Sequence, residues 1–389
     1  MSKRIAIIFD EKVYNQRGRF NAIRNRIKYL SLCSDYEINV FLVSTYDPWY
    51  IRFLRKTKKV ERINKLIVDD IVYRVFWKKF SLIDYILEEK LHYKAIFSGL
   101  FYSRLENRIK GYQLISAHSA YCGDVAMRIS QRDNIPFYVT WHGSDIHTLP
   151  FNNKSIFNTV KDILRNATCN FFVSEALCIR AKDIWPSFKY EILYNGINNR
   201  FFKYHEDKRK CLKNQYGIKD DQKVVAFVGD LIEIKNPQLL PLIFNQIYNN
   251  YSKPIVFWII GNGKFLIELK ESCRLLKIPV VFWGAQSPDD MPLYMNCIDV
   301  LVLPSKNEGL PLVTLEAIAC GANAVGSDVG GIKEAVGQEN VFTVDEKLVD
   351  NIARRVLQML ETRIIQPLDH KFSWEITAEK ENKIYKQII

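Results

Sequence analysis

The sequence predicts an α/β protein built of two doubly wound domains, and three observations predict it. Apolar runs of strand length alternate with helix-length stretches in both halves, the pattern of parallel sheets wound with helices. A polar stretch from Asn199 to Gln222, charged and weakly periodic, divides the chain near residue 200. At 389 residues, 48% apolar and 25% charged, the chain is too long for one ordinary core but normal for two.

In chain order, the first half predicts strands at Arg4 to Phe9, Ile38 to Ser44, Leu114 to Ala117, Phe137 to Trp141, Asn170 to Val173 and Glu191 to Leu193, with further strands near Val68 and His92. The second half predicts strands at Val224 to Val228, Val256 to Ile260, Val280 to Trp283, Val300 to Leu303 and Ala324 to Gly326. Each is a short, β-branched or aromatic run closed by a turn former. The last helix, Trp374 to Ile389, carries apolar residues at Trp374, Ile376, Ala378, Ile384, Tyr385 and Ile388, so one side must pack on something. No internal repeat and no low-complexity tract is visible.

The stretch from Ser305 to Ala317 carries the most chemistry. It follows the strand Val300 to Leu303 and Pro304, and it sets Glu308 and Glu316 around Gly309 and a helix start. Pro311 suits the first helical position, which predicts a helix from Pro311 to Cys320. A loop at a strand's carboxyl end that feeds a helix N-terminus attracts a phosphate, and a glycine there lets a ligand approach the backbone. Similar turns recur at Gly229 with Lys235, at Gly261-Asn262-Gly263, and at Gly330-Gly331 ahead of Glu334.

The formal charge is +12 and is unevenly spread: residues 1 to 200 hold 32 Lys/Arg against 19 Asp/Glu, the remainder 23 against 24. A basic first half predicts an anionic partner, a membrane surface or a polyanion. The densest run, Arg52, Arg55, Lys56, Lys58, Lys59, Arg62 and Lys65, follows Trp49, Tyr50, Phe53 and Leu54. Aromatics beside a cationic helix suit an interfacial contact over residues 49 to 65, or a solvated helix face. The eight cysteines, at 33, 122, 169, 178, 211, 273, 297 and 320, have no metal or redox spacing and read as free thiols. No run reaches the ~18 apolar residues of a membrane span, and Asp10 cuts Ile5 to Phe9 too short for a signal sequence. The expected location is the cytoplasm, with a peripheral contact at the inner face of the plasma membrane. Nucleic acid is not an expected partner, because the basic run lacks a recognisable module.

Taken together, Phe227-Val228-Gly229 with Lys235, Ile260-Gly261-Asn262-Gly263, Pro304-Ser305 through Glu308-Gly309-Leu310-Pro311 to Glu316-Ala317, Gly321, and Gly330-Gly331-Ile332 with Glu334 resemble the retaining family 4 glycosyltransferases of the GT-B fold. In the first half Trp141-His142-Gly143-Ser144-Asp145, Val173-Ser174-Glu175 and Tyr194-Asn195-Gly196-Ile197 also look like this family, as does the closing Phe372-Ser373-Trp374-Glu375. The resemblance covers most of residues 110 to 389. It implies two Rossmann-like domains facing across a cleft: an acceptor-binding domain, 1–200, joined by a C-terminal helix, 372–389, that crosses back to it, and a donor-binding domain, 201–371.

It also implies roles. Glu316 would hold the ribose hydroxyls of a nucleotide-sugar donor. Gly229, Gly261, Asn262, Gly263, Gly309, Leu310 and Pro311 would line the donor, and Lys235 would neutralise the departing diphosphate. Glu308 would contact the donor sugar where the bond breaks, and His142 would sit beside the sugar. His118, Asp145 and the loop Arg17, Gly18 and Arg19 are further candidates on the acceptor side. The acceptor would be a surface polysaccharide or a lipid-linked saccharide. Neither a metal nor another cofactor is expected. One departure stands out: where the family usually has an arginine five residues before the lysine, this chain has Asp230. Asp230 would then point away or bind a sugar hydroxyl, while Lys235 with Arg17 or Arg19 supplies the positive charge. A nucleotide-sugar epimerase of the same fold and a non-catalytic nucleotide-sugar-binding protein are the alternatives.

Overall fold

The computed structural model describes residues 3–14, 18–90, 99–362, 365 and 367–389. The strand expected near His92 and the candidate Arg17 lie outside them. Two compact units result, one of residues 1–195 with 374–389, the other of residues 196–373.

In the first unit the described strands are β1 (Arg4–Asp10), β2 (Glu37–Tyr46), β3 (Lys65–Val68), β4 (Ile71–Lys79), β5 (Leu114–His118), β6 (Phe137–Trp141), β7 (Cys169–Phe172) and β8 (Tyr190–Ile192). Their order is β3-β4-β2-β1-β5-β6-β7-β8, parallel throughout except for β3 against β4. β1 lies centrally because Ile5 to Phe9 are all buried, as a run apolar on both faces requires. The chain winds outward from β1 to β2 and β4, then resumes on β1's other side with β5. The switch point therefore falls between β1 and β5.

The sequence signal near Val68 resolves into a hairpin. Asp69 and Asp70 both adopt positive φ, 51° and 61°, the geometry of the two-residue turn whose twist matches its strands. Asp69 is fixed there by Arg24 at 2.6 Å and Lys28 at 3.1 Å.

The basic run after Trp49 is not the continuous helix expected. The helix covers Trp49–Arg55 only, and Lys56 ends it in the left-handed conformation. Residues 57–63 lack regular structure, and Lys65 opens β3.

The closing helix, Trp374–Lys386, packs within the first unit. Glu381 meets Arg26 at 2.6 Å with both side chains almost fully buried, and the Tyr385 hydroxyl donates to Glu381 at 2.5 Å. Trp374, Ala378 and Tyr385 form the buried side, as expected. Ile376 and Ile388 do not join it; they are 44% and 51% exposed.

In the second unit the described strands are β9 (Lys223–Val228), β10 (Ile255–Ile260), β11 (Val280–Gly284), β12 (Val300–Leu303), β13 (Asn323–Ser327) and β14 (Val341–Phe342). They are all parallel, in the order β11-β10-β9-β12-β13-β14. This is the doubly wound order with its switch point between β9 and β12. Buried apolar clusters, one around Phe244, Phe257 and Ile352 and the other around Trp258, Met295 and Ala317, make up its core.

The stretch read as a polar link is structured and belongs to this unit. It contains the helix Glu206–Gln215, whose Arg209 and Lys213 are buried around Asp299 at 2.8 and 3.5 Å. Asp299 also accepts the Val224 N–H at 2.8 Å. These charges lack an apolar period because their buried side is ionic.

Candidate functional site

At the β9/β12 switch point two loops meet. The loop after β9 runs through Gly229 and Asp230 to a single 3₁₀ turn, Glu233–Lys235. The loop after β12 runs from Pro304 to Pro311. The Lys306 N–H donates to the Ile234 carbonyl at 2.8 Å and so ties the two backbones together. Across that tie, Lys235 Nζ lies 2.6 Å from Glu308 Oε1, and the same oxygen accepts from Ser305 Oγ at 2.7 Å. The sequence thus brings its two chief candidates into contact. It did not single out Ser305, although a serine at a strand's carboxyl end beside a buried carboxylate is a signal that could have been read.

The glycines around this site serve the loops themselves. A Cβ on Gly330 would lie 1.9 Å from the Glu308 carbonyl oxygen, and the Gly331 N–H donates to Gly309 O at 2.6 Å. A Cβ on Gly261 would lie 1.9 Å from Gly229 O, and one on Gly263 2.3 Å from Leu231 O. The space where a side chain would project from Gly261, Gly263 and Gly330 is taken by neighbouring strand-end loops, so packing alone requires glycine there. Their close approach gathers the loops after β9, β10, β12 and β13 at one edge of the sheet.

Pro311 is the residue before the helix rather than its first helical residue. Its ψ of 117° is extended, and the helix is Leu312–Ala319. No side chain caps that helix, so its first N–H groups keep the capacity to bind an anion. Leu310 is buried. Glu316 lies on the second turn, and its side chain makes no hydrogen bond or ion pair among the described residues. Burial pushes its carboxyl up to about 7. A largely buried carboxylate without a partner is suited to accept hydrogen bonds from the hydroxyl groups of a ligand. Asp230 is partly buried in the β9 loop, and its carbonyl accepts the Ile232 N–H at 3.0 Å. A cavity of about 260 Å³ in the same unit, bordered by Asn323, Arg355 and Phe372, includes none of Lys235, Glu308 or Glu316 among its lining residues.

The first unit gathers polar groups at its own switch point. Asp10 ends β1 and accepts a short hydrogen bond from Ser119 Oγ. Ser119 holds φ at 106°, a conformation that side chains other than glycine's seldom adopt and that marks stored strain. Arg19 sits 2.7 Å from Glu11 and 3.4 Å from Asp10. Burial works to lower its pKa, but Asp10 and Glu11 outweigh burial and keep it raised. Its charge is thus already matched by two carboxylates of its own unit. Gly18 adopts φ 48° at the start of the helix Arg19–Leu32, with open space where a Cβ would point.

His118 ends β5 and His142 follows β6. Their rings stack at 5.3 Å, with His118 Nδ1 3.0 Å from His142 Nε2. Burial, reinforced by Arg19 and Arg26, pushes both imidazoles well below their ordinary pKa, so both are neutral at pH 7. Asp145 is buried and raised by that burial; its carboxyl accepts the His142 N–H at 3.5 Å. Asp10 and Ser119 went unrecognised as site residues in the sequence, because nothing local announces a contact between residues 109 positions apart.

Among the described residues no group of three or more His, Cys, Asp or Glu could hold a metal ion, and no helix is long and apolar enough to cross a membrane. Six cysteines are buried, while Cys33 is half-buried and Cys211 exposed.

Two wound parallel sheets, with a phosphate-suited loop and helix start at the switch point of the second, define the GT-B class of glycosyltransferase folds. Residues 208–377 match the family model described as Glycosyl transferases group 1. It is 27% identical over 255 residues to TuaC of Bacillus subtilis (strain 168), named for teichuronic acid biosynthesis, covering 65% of this chain and 63% of that protein. The chain spans about three fifths of the length of the curated relatives it matches. The fold is shared with sucrose-phosphate synthase from Thermosynechococcus elongatus, at a TM-score of 0.75 and 18% identity over 99% of this chain and 98% of that one. It is shared also with Anabaena HepE, solved in complex with UDP-glucose, at a TM-score of 0.67 and 16% identity over 98% and 99% of the two chains.

Proposed function

We propose that the protein is a retaining, family 4 glycosyltransferase that moves a sugar from a nucleotide-sugar donor to a saccharide or lipid-linked saccharide acceptor of a surface polysaccharide. The observation that carries this reading is the Lys235–Glu308 pair at the β9/β12 switch point, beside an uncapped helix start and the unpartnered Glu316. In this reading Glu316 accepts the ribose hydroxyls. The N–H groups that open the helix Leu312–Ala319 hold the diphosphate, which draws Lys235 away from Glu308. Glu308, still oriented by Ser305, then faces the sugar. The bond from the anomeric carbon to the diphosphate breaks, Lys235 stabilises the charge that develops, and the acceptor oxygen bonds to the same face while its proton passes to the departing phosphate. His142, held neutral, donates or accepts at a sugar hydroxyl, and the chemistry runs without a metal. Binding of UDP-glucose by HepE and the polysaccharide role in TuaC's name support the donor and acceptor classes.

The test is to follow the anomeric proton of the first product by NMR with a nucleotide sugar and an oligosaccharide acceptor. Retention is expected, with nucleotide diphosphate released in step with acceptor consumed. An inverted product, or release that ignores the acceptor, would refute the reading.

A further inference from the structure

The helix Trp49–Arg55 carries none of the residues assigned a role in transfer. Ile51 is fully buried and anchors it, with help from Arg55, which pairs with Asp47 at 3.1 Å and stacks on Phe80. Trp49 and Phe53 stand one helical turn apart on one side and are 73% and 84% exposed. Leu54 and Val60 are exposed as well, and so are Ile67 and Val72, cross-strand partners in the following hairpin. Large apolar side chains left in water along one segment mark a contact surface. After the helix the chain carries Lys56, Lys58, Lys59, Arg62 and Lys65, all exposed. None of the four lysines is ion-paired among the described residues, and Glu61 is the single acid from residue 48 to 68.

We propose that Trp49, Phe53 and the cationic segment 52–65 form a docking face for the anionic surface of a lipid bilayer. The rings and Leu54 enter the headgroup and upper acyl region, while the lysines lie among the phosphates. Exposed aliphatic side chains beside the rings favour lipid over single-stranded nucleic acid, which would stack bases on the rings but leave Leu54 and Val60 in water. The proposal does not depend on the transfer chemistry.

The experiment is co-sedimentation of the full chain with vesicles of phosphatidylcholine alone and of phosphatidylcholine with phosphatidylglycerol, at low and high salt, beside a poly-uridylate binding assay. Binding should require phosphatidylglycerol and weaken with salt. Lys58→Gln and Lys59→Gln should each lower the partition coefficient about fivefold, and Trp49→Ala with Phe53→Ala should lower it about tenfold or more. These exposed positions should leave the melting temperature and nucleotide-sugar binding unchanged, so loss of docking is separable from loss of the donor site. Equal sedimentation with both vesicle types, wild-type sedimentation of the Trp49→Ala/Phe53→Ala variant, or binding to poly-uridylate without binding to vesicles would overturn it.

Discussion

Glu316 makes donor binding sensitive to pH in a way whose sign and size follow from its surroundings. In the free protein, burial holds its carboxyl at about 7. If it accepts ribose hydroxyls, its charged form is stabilised in the complex and its pKa falls on binding. Donor binding then releases a proton below about pH 7, and affinity must drop as the solution becomes more acid. With the bound pKa well below 6, affinity at pH 6 should be roughly tenfold lower than at pH 8, a difference of about 1.4 kcal/mol.

The assay is calorimetry with an intact nucleotide sugar, whose diphosphate diester does not titrate in this range. It should be run in buffers of different ionisation enthalpy, so that the released proton is counted directly. Glu316→Gln should bind weakly at every pH and without proton release. A flat wild-type profile, or an unchanged slope in Glu316→Gln, would refute the reasoning.

The same carboxyl carries a stability signature. An acid whose folded pKa is raised imposes no penalty below its unfolded pKa of about 4.5, a growing one up to 7, and the full penalty above. The shift implies a cost of about 3 kcal/mol, reduced because the side chain keeps some contact with solvent. Glu316→Gln should therefore raise the melting temperature at pH 8 by a few degrees and leave it nearly unchanged at pH 4.5.

Further expectations concern the other charged groups. Glu308→Gln should keep nucleotide-sugar affinity within a fewfold while losing transfer by about a hundredfold or more, read as kcat against KM; near-wild-type turnover would contradict its role. Ser305→Ala, which removes the hydroxyl orienting that carboxylate, should cost transfer a smaller factor, about fivefold to twentyfold, with donor affinity unchanged by calorimetry. Because His118 and His142 are held neutral by burial and nearby arginines, their imidazole carbon protons should show no titration between pH 6 and 8 by NMR. Arg26→Met leaves Glu381 buried without its partner and should destabilise the first unit by about 3–5 kcal/mol in urea unfolding.

The residues show why some of this was legible in the sequence and some was not. The strand Val300–Leu303, its closing Pro304 and the loop to the helix could be read because apolar length, a chain breaker and a phosphate-binding turn lie next to one another. The hairpin at Asp69-Asp70 was not, since its turn uses two aspartates in a conformation usually signalled by glycine or asparagine. The helix Glu206–Gln215 was hidden because Arg209 and Lys213 mimic solvent-facing charges while being buried on Asp299. The cationic helix ends sooner than its composition suggests, because nothing in that composition announces that Lys56 turns left-handed. Site pairs such as Lys235 with Glu308, or Asp10 with Ser119, are set by which strands become neighbours, and that order is fixed by winding topology rather than by local pattern.

The most direct test of the donor site at the β9/β12 switch point is calorimetry of UDP, GDP, ADP and their common sugar conjugates with the wild type, Lys235→Ala and Glu316→Ala, in the presence of EDTA. The account predicts that one nucleotide class binds the wild type at one site per chain, and that each variant weakens this by about tenfold or more. No binding by any nucleotide, or equal binding by all three proteins, would contradict it.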